Sequence, residues 1–152
     1  ENMSPEVIAV EVTETIQLVQ SAAEMRNLET LVAAGIRVSI DDFGSGATSL
    51  DYLRKVRFDT IKIDRSYITN LGTDPVAMAL VGALANIGRA LNLSVVAEGV
   101  ETEAQMRMVQ AAGLTHMQGY LFGKPMPVER RGAGGLPQIQ MVSDAQPRSV
   151  AA

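Results

Sequence analysis

The acidic residues of this sequence recur at the ends of short apolar runs. Val7-Ile8-Ala9-Val10-Glu11-Val12 carries Glu11. The run from Ile36 to Ile40 ends in Asp41-Asp42, and Asp59-Thr60-Ile61-Lys62-Ile63-Asp64 carries Lys62 and Asp64. Leu93 to Ala97 ends in Glu98-Gly99, with Glu101 just beyond, and Thr115 to Tyr120 contains Gln118. Carboxylates gathered on one rim repel one another unless something neutralises them. Hard divalent cations such as Mg²⁺ or Mn²⁺ do so through oxygen ligands. The adjacent pair Asp41-Asp42 suits a two-metal site, in which ions about 3.5–4 Å apart clamp the attacking and leaving oxygens of a phosphoryl transfer. Lys62 has two chemical tasks open to it: to orient or deprotonate a water at the metal, or to stabilise phosphate charge. A purely structural pairing of Lys62 with Asp64 or Glu98 is the alternative. Any single acid here could equally cap a helix or pair with Lys or Arg. It is their recurrence, strand after strand, that argues for metal.

Elements of a regular kind must position these groups. The apolar runs alternate with helical patterns. Ser21-Ala22-Ala23-Glu24 reads as a capping box opening a helix to about Ala34, with Gly35 as its C-terminal cap. A Gly44-Ser45-Gly46 loop, suited to closing over a ligand, leads to a short helix near Ser49 to Lys55. Asp74-Pro75 is an N-cap followed by proline at the first helical position, and that helix should reach about Leu91. Thr102-Glu103-Ala104-Gln105 is a second capping box, with the helix stopping near Gly113. Strands alternating with helices imply βαβ units and a mostly parallel sheet. No Gly-x-Gly-x-x-Gly turn follows the first strand, which weighs against an open dinucleotide-binding sheet. Polar groups at every strand end fit the C-terminal face of a (β/α)8 barrel instead. Side-chain alternation puts Glu11 on one face with Ala9, and Lys62 with Thr60 and Asp64, while Val10, Ile61 and Ile63 face the helices.

Composition sets the outer limits. The chain of 152 residues is 47% hydrophobic and 20% charged, with a net charge of −4. That is one globular domain's worth of sequence, with an acidic balance unsuited to binding nucleic-acid polymers. There is no cysteine, so disulfides and thiolate metal sites are excluded and a cytoplasmic location is expected. The apolar stretch from Val76 to Ala97 is broken by Asn86, Gly88, Arg89, Asn92 and Ser94, against the pattern of a membrane span. His116 has no second His or Cys nearby, which points to a structural role, and the eight Met residues read as core filler. Residues 130–152, rich in Arg, Gly, Pro, Gln and Ser, are expected to form a mostly disordered tail.

At these residues the sequence resembles the EAL domain family, the bacterial cyclic di-GMP phosphodiesterases. Glu11-Val12-Thr13-Glu14-Thr15, Asp41-Asp42-Phe43-Gly44-Ser45-Gly46-Ala47, Lys62-Ile63-Asp64, Ala97-Glu98-Gly99-Val100-Glu101 and Gln118-Gly119-Tyr120-Leu121-Phe122-Gly123-Lys124-Pro125 match family motifs in order. The resemblance implies residues 1–129 as the C-terminal part of such a domain. About five of eight barrel strands would be present, the fourth to the eighth, in a fold that takes roughly 250 residues when complete. The Glu-Ala-Leu segment and the metal-binding Asn of earlier strands have no counterpart here. The family's usual loop Tyr is replaced by Ala47.

The resemblance also implies roles. Glu11 and Asp41 would ligate metal, Asp42 would serve the second ion, and Glu98 would complete the site. Lys62 would orient the water nucleophile, and Gln118 would sit near the water or the substrate. Glu14 would hold the loop after Asp42, with Asp64 and Glu101 in support. The implied reaction is hydrolysis of cyclic di-GMP to linear pGpG with Mg²⁺ or Mn²⁺. The implied context is a homodimer of the full domain, a GGDEF or sensory domain upstream, and a parent protein that is cytoplasmic or anchored to the membrane through upstream segments. The isolated chain is expected to be inactive and prone to association. Two other readings remain open at this point: a module that binds cyclic di-GMP or a protein partner without turnover, and, from the acids alone, a Mg²⁺-dependent enolising barrel.

Overall fold

The computed structural model describes residues 4–13, 22–45, 52–125 and 140–141. After a 3-10 turn at Pro5–Val7, the elements run β1 (Ala9–Thr13), α1 (Ala22–Ala33), β2 (Arg37–Phe43), α2 (Tyr52–Lys55), β3 (Thr60–Ile63), α3 (Arg65–Thr69), α4 (Pro75–Leu91), β4 (Ser94–Glu98), α5 (Glu103–Ala111), β5 (His116–Gln118) and β6 (Gln140–Met141). The strands lie side by side in chain order, and β1 to β5 are all parallel. A doubly wound sheet reverses its strand order at a switch point; this one never does. Unbroken sequential order with helical crossovers is the arrangement of part of a β/α barrel.

The helices begin and end where their caps dictate. The Asp74 carboxylate accepts from the Val76 N–H at 2.8 Å, with Pro75 at the first helical position. At the far end Asn92 adopts φ 56°, ψ 43°, a left-handed conformation that Asn tolerates better than most residues. Thr102 and Gln105 form the expected reciprocal capping box. The helix α3 was not foreshadowed in the sequence pattern; it is only five residues long and starts directly off β3, with Asp64 as its N-cap. Part of the sequence reading falls on undescribed residues: the Ser21 cap, Glu14, the loop from Gly46 through Ala47, and the start of the helix near Ser49. The expected tail lies outside the described residues too, except Gln140–Met141, which pair antiparallel with Met117 and His116 of β5.

One face of the sheet makes the core. Val12, Val38, Ile40, Ile61, Ile63, Val95, Ala97 and Met117 pack against Leu28, Ile68, Val81, Leu84, Ala85 and Val109 of the helices. This is the helix-facing set that strand alternation predicts. The opposite face carries Glu11, Ser39, Asp41, Thr60, Lys62, Val96, Glu98, His116 and Gln118, brought into line by the registers Glu11↔Ser39, Ser39↔Thr60, Lys62↔Val96 and Glu98↔Gln118. At the other end of the strands Asp59 ties three of them together. Its carboxylate accepts from Val38 N–H at 2.9 Å, and its own N–H and C=O bond to Val38 and Ser94. The strand ends bearing the acids therefore have a fixed base.

Two glycines of α4 should respond oppositely to the same substitution. A Cβ on Gly82 meets nothing within 4 Å, whereas one on Gly88 would come to 2.3 Å from Val95 Cγ2. Gly82→Ala is expected to stabilise by about 0.5–1 kcal/mol through helix propensity. Gly88→Ala is expected to destabilise by about 1–3 kcal/mol through overpacking against β4. Urea unfolding of the two variants checks this, and a Gly88→Ala protein as stable as wild type would contradict the packing described.

Candidate metal centre at the strand ends

Lys62 is the organising group of the rim. It sits mid-strand in β3 at 8% exposure, one of two buried polar residues among those described. Its Nζ lies 3.0 Å from Glu11 Oε1, 2.9 Å from Asp41 Oδ1 and 2.8 Å from Glu98 Oε1. Those carboxylates come from β1, β2 and β4, so one ammonium spans four neighbouring strands. Burial pulls the Lys62 ammonium down, but the hydrogen bonds to Glu98, Asp41 and Glu11 outweigh it and hold it above the ordinary lysine range. Lys62 therefore stays charged.

The Asp-Asp doublet reaches the site through an irregularity. In a regular strand, adjacent side chains point to opposite faces, so Asp42 would be turned to the helices. Between Ile40↔Ile61 and Phe43↔Ile63 the register shifts, β2 spending three steps where β3 spends two. Asp42 takes φ 54°. This bulge re-aims the side chain, the use to which bulges beside functional sites are commonly put. Asp41, Asp42 and Glu98 then offer carboxylate oxygens that all lie within 4.8 Å of one another. Burial, with the adjacent Asp41 and Asp64 carboxylates, pushes Asp42 upward against the opposing pull of Lys62. Burial likewise raises Glu98, although Lys62 works to lower it. Asp42 and Glu98 are thus costly to ionise where they sit, and a cation beside them would relieve that cost. A partly buried set of oxygen-only donors fits a hard divalent ion.

The other residues singled out in the sequence divide. Glu11 shares Lys62 with Asp41 and Glu98 but is not among the three carboxylates whose oxygens lie within 4.8 Å of one another. Among the described residues, Asp64 makes no ion pair with Lys62. Its carboxylate accepts from the N–H and the hydroxyl of Ser66, capping α3, and lies near enough to Asp42 to push that carboxyl upward. Glu101 is exposed, with Arg65 at 3.6 Å. Gln118 lies opposite Glu98 in register with an exposed side chain. His116 is half-buried with Thr115 Oγ1 at 3.0 Å from its Nδ1, in keeping with a structural role. Sequence reasoning missed two features of the rim. One is Gly119, where a Cβ would lie 2.1 Å from the Val100 carbonyl oxygen, so only glycine lets the end of β5 press against the turn after β4. The other is Tyr67, whose hydroxyl donates to the Gly44 carbonyl at 2.7 Å.

Known proteins resemble this chain in sequence and in fold. The family model described as EAL domain matches residues 1–125. The bifunctional diguanylate cyclase/cyclic di-GMP phosphodiesterase MucR of Pseudomonas aeruginosa is 43% identical over 129 residues, which is 85% of this chain and 19% of that protein. The probable cyclic di-GMP phosphodiesterase PdeA of Escherichia coli is 35% identical over 127 residues, 84% of this chain and 17% of that protein. The solved PaMucR phosphodiesterase, in complex with c-di-GMP, aligns with a TM-score of 0.78 at 44% identity, covering 84% of this chain and 51% of that one. Klebsiella pneumoniae BlrP1, solved with manganese and cyclic di-GMP, aligns with a TM-score of 0.75 at 33% identity, covering 81% and 31%. The chain thus spans less than a fifth of the length of the two curated relatives, MucR and PdeA.

The electrostatics predict how the site responds to losing its cation. In metal-free protein, Lys62→Met should cost about 3–5 kcal/mol, the usual penalty for stripping a buried charge cluster of its partner. Millimolar Mn²⁺ should restore more stability to that variant than it adds to wild type. Urea unfolding with and without Mn²⁺ measures both, and a metal-free Lys62→Met protein of unchanged stability would refute the role given to Lys62.

Proposed function

The chain belongs to the EAL domain family, and from that premise we propose that the protein containing it hydrolyses one phosphodiester bond of cyclic di-GMP to linear pGpG, using Mg²⁺ or Mn²⁺ at a two-metal site. The observation that carries the proposal is the convergence of Asp41, Asp42 and Glu98 oxygens within 4.8 Å beside a charged Lys62. The names of MucR and PdeA support the substrate, and the manganese complex of BlrP1 supports a divalent ion.

Each residue has a task in this reading. Glu11, Asp41, Asp42 and Glu98 hold the cations, with Asp42 turned to the second one by the bulge. When bound, the cations supply polarisation of the phosphate and a water nucleophilic at neutral pH. Lys62 directs its three N–H donors at Glu11, Asp41 and Glu98, so it orients that water with a donor released when a bound cation takes over one of these carboxylates. It also offsets negative charge where a phosphodiester must approach. Attack of the water forms a new P–O bond as one ring P–O bond breaks, leaving a phosphate monoester at one end of the linear dinucleotide and, with a proton taken up by the departing ribose oxygen, a free hydroxyl at the other. The exposed Gln118 amide carries both donors and an acceptor and suits contact with the water or the substrate. Asp64 holds α3 against Asp42, Glu101 steadies the rim through Arg65, and Glu14 is assigned to the loop beyond Asp42. A homodimer, a diguanylate-cyclase-type or sensory domain upstream, and a cytoplasmic site of action belong to the same proposal.

In the full-length protein, Glu98→Ala should reduce cyclic di-GMP turnover about a hundredfold or more, since even residues supporting a ligand cost up to that much, while far-ultraviolet circular dichroism stays unchanged. Wild-type-like turnover in that variant would sink the metal-site assignment. Tight binding of cyclic di-GMP by wild type, with no metal-dependent turnover, would assign the non-hydrolysing module instead. The 152-residue chain alone is expected to show no hydrolysis, because a complete β/α barrel site is built on eight parallel strands and the described residues supply five of them.

A further inference from the structure

We infer that Tyr67 is a positioning residue for the metal site, acting through the backbone of Gly44 on the bulge that aims Asp42. The inference rests on the metal-site reading above and adds a residue outside the motifs quoted in the sequence analysis. Two hydrogen bonds fasten the end of β2 to the first turns of α3. The Asp64 N–H donates to Phe43 C=O at 3.2 Å, and the Tyr67 hydroxyl donates to Gly44 C=O at 2.7 Å. Between the bulge and these fastenings there is no slack: Asp42 has φ 54°, Phe43 is buried, and Gly44 has φ 98°. A further bond, Ser45 N–H to Asp42 C=O at 3.1 Å, closes the turn.

The fit between Tyr67 and Gly44 is close on both sides. A Cβ on Gly44 would lie 2.7 Å from Cε2 of the Tyr67 ring, so the ring and the glycine occupy complementary space. Tyr67 in turn packs against the core cluster, and its N–H donates to the Asp64 C=O at 3.1 Å. The hydroxyl is thus held from beneath by the core and delivers that rigidity to a backbone carbonyl two residues from a metal-aimed carboxylate. An aspartate in the left-handed region is held there only by its surroundings. Without the hydroxyl, the Gly44 carbonyl loses its bond to the core-packed Tyr67 and Asp42 can sample orientations away from Asp41 and Glu98.

The test is Mn²⁺ affinity of the full-length protein, read from the free-ion electron paramagnetic resonance signal without substrate. Tyr67→Phe keeps the ring and removes only the hydroxyl. It should weaken binding by about tenfold, the lower end of what outer residues contribute to metal affinity, while the metal-free unfolding midpoint stays at the wild-type value. In an Asp42→Asn background the same change should have little further effect, because neighbours acting on one group are not additive. Unchanged affinity in Tyr67→Phe, with Asp42→Asn weakened, would overturn this inference and leave the metal site standing. Unchanged affinity in Asp42→Asn would overturn both. A metal-free midpoint that falls in step with affinity would overturn the inference in favour of a merely structural tyrosine.

Discussion

A single ammonium, buried mid-strand in β3 and within 3.0 Å of carboxylates from three other strands, is the constraint around which the rim is built. Burying a charge costs several kcal/mol unless partners compensate. Lys62 is compensated only if β1, β2 and β4 present their acids at the same height. The strand registers must therefore be correct for the ion cluster to form, and a slip of one residue would turn Glu11 or Glu98 toward the helices. The cluster is thus a register lock as well as a candidate reaction centre. The Asp59 ties at the opposite end of the strands serve the same alignment.

The cluster is also out of balance. The carboxylates around Lys62 outnumber it, and both Asp42 and Glu98 are pushed up by burial. A site that needed only structural neutrality could be built with fewer acids. An excess of partly buried oxygen donors with a bulge spent on adding one more describes a site made for a cation. Bulges cost a ladder hydrogen bond and an unfavourable backbone conformation, and here the return on that cost is the position of Asp42.

Much of this was legible in the sequence. Period-two alternation separated the helix-facing Ile61 and Ile63 from Lys62, and the Asp74-Pro75 and Thr102–Gln105 caps marked helix starts correctly, because both signals are local and physical. The acids at strand ends could be gathered on one rim because parallel strands joined by helices share a direction. What stayed hidden depended on longer-range geometry. Alternation alone puts Asp41 and Asp42 on opposite faces; only the register against β3 reveals the bulge, with Gly44 its faint trace in the sequence. Asp64 read as a rim acid, and that it also caps α3 was hidden because that helix is too short to leave a periodic pattern. Tyr67 is an unremarkable aromatic until α3 places it under Gly44. The short pairing of Gln140–Met141 along β5 had no signal in a stretch whose composition suggests a tail.

The central claim is that Asp41, Asp42 and Glu98 form a divalent-cation site beside Lys62. Anomalous diffraction from crystals of the full-length protein soaked in Mn²⁺ addresses it directly. The account predicts an anomalous peak within coordination distance, about 2.0–2.4 Å, of oxygens from all three carboxylates. Crystals in which Mn²⁺ binds elsewhere while these carboxylates keep only Lys62 for company would contradict it.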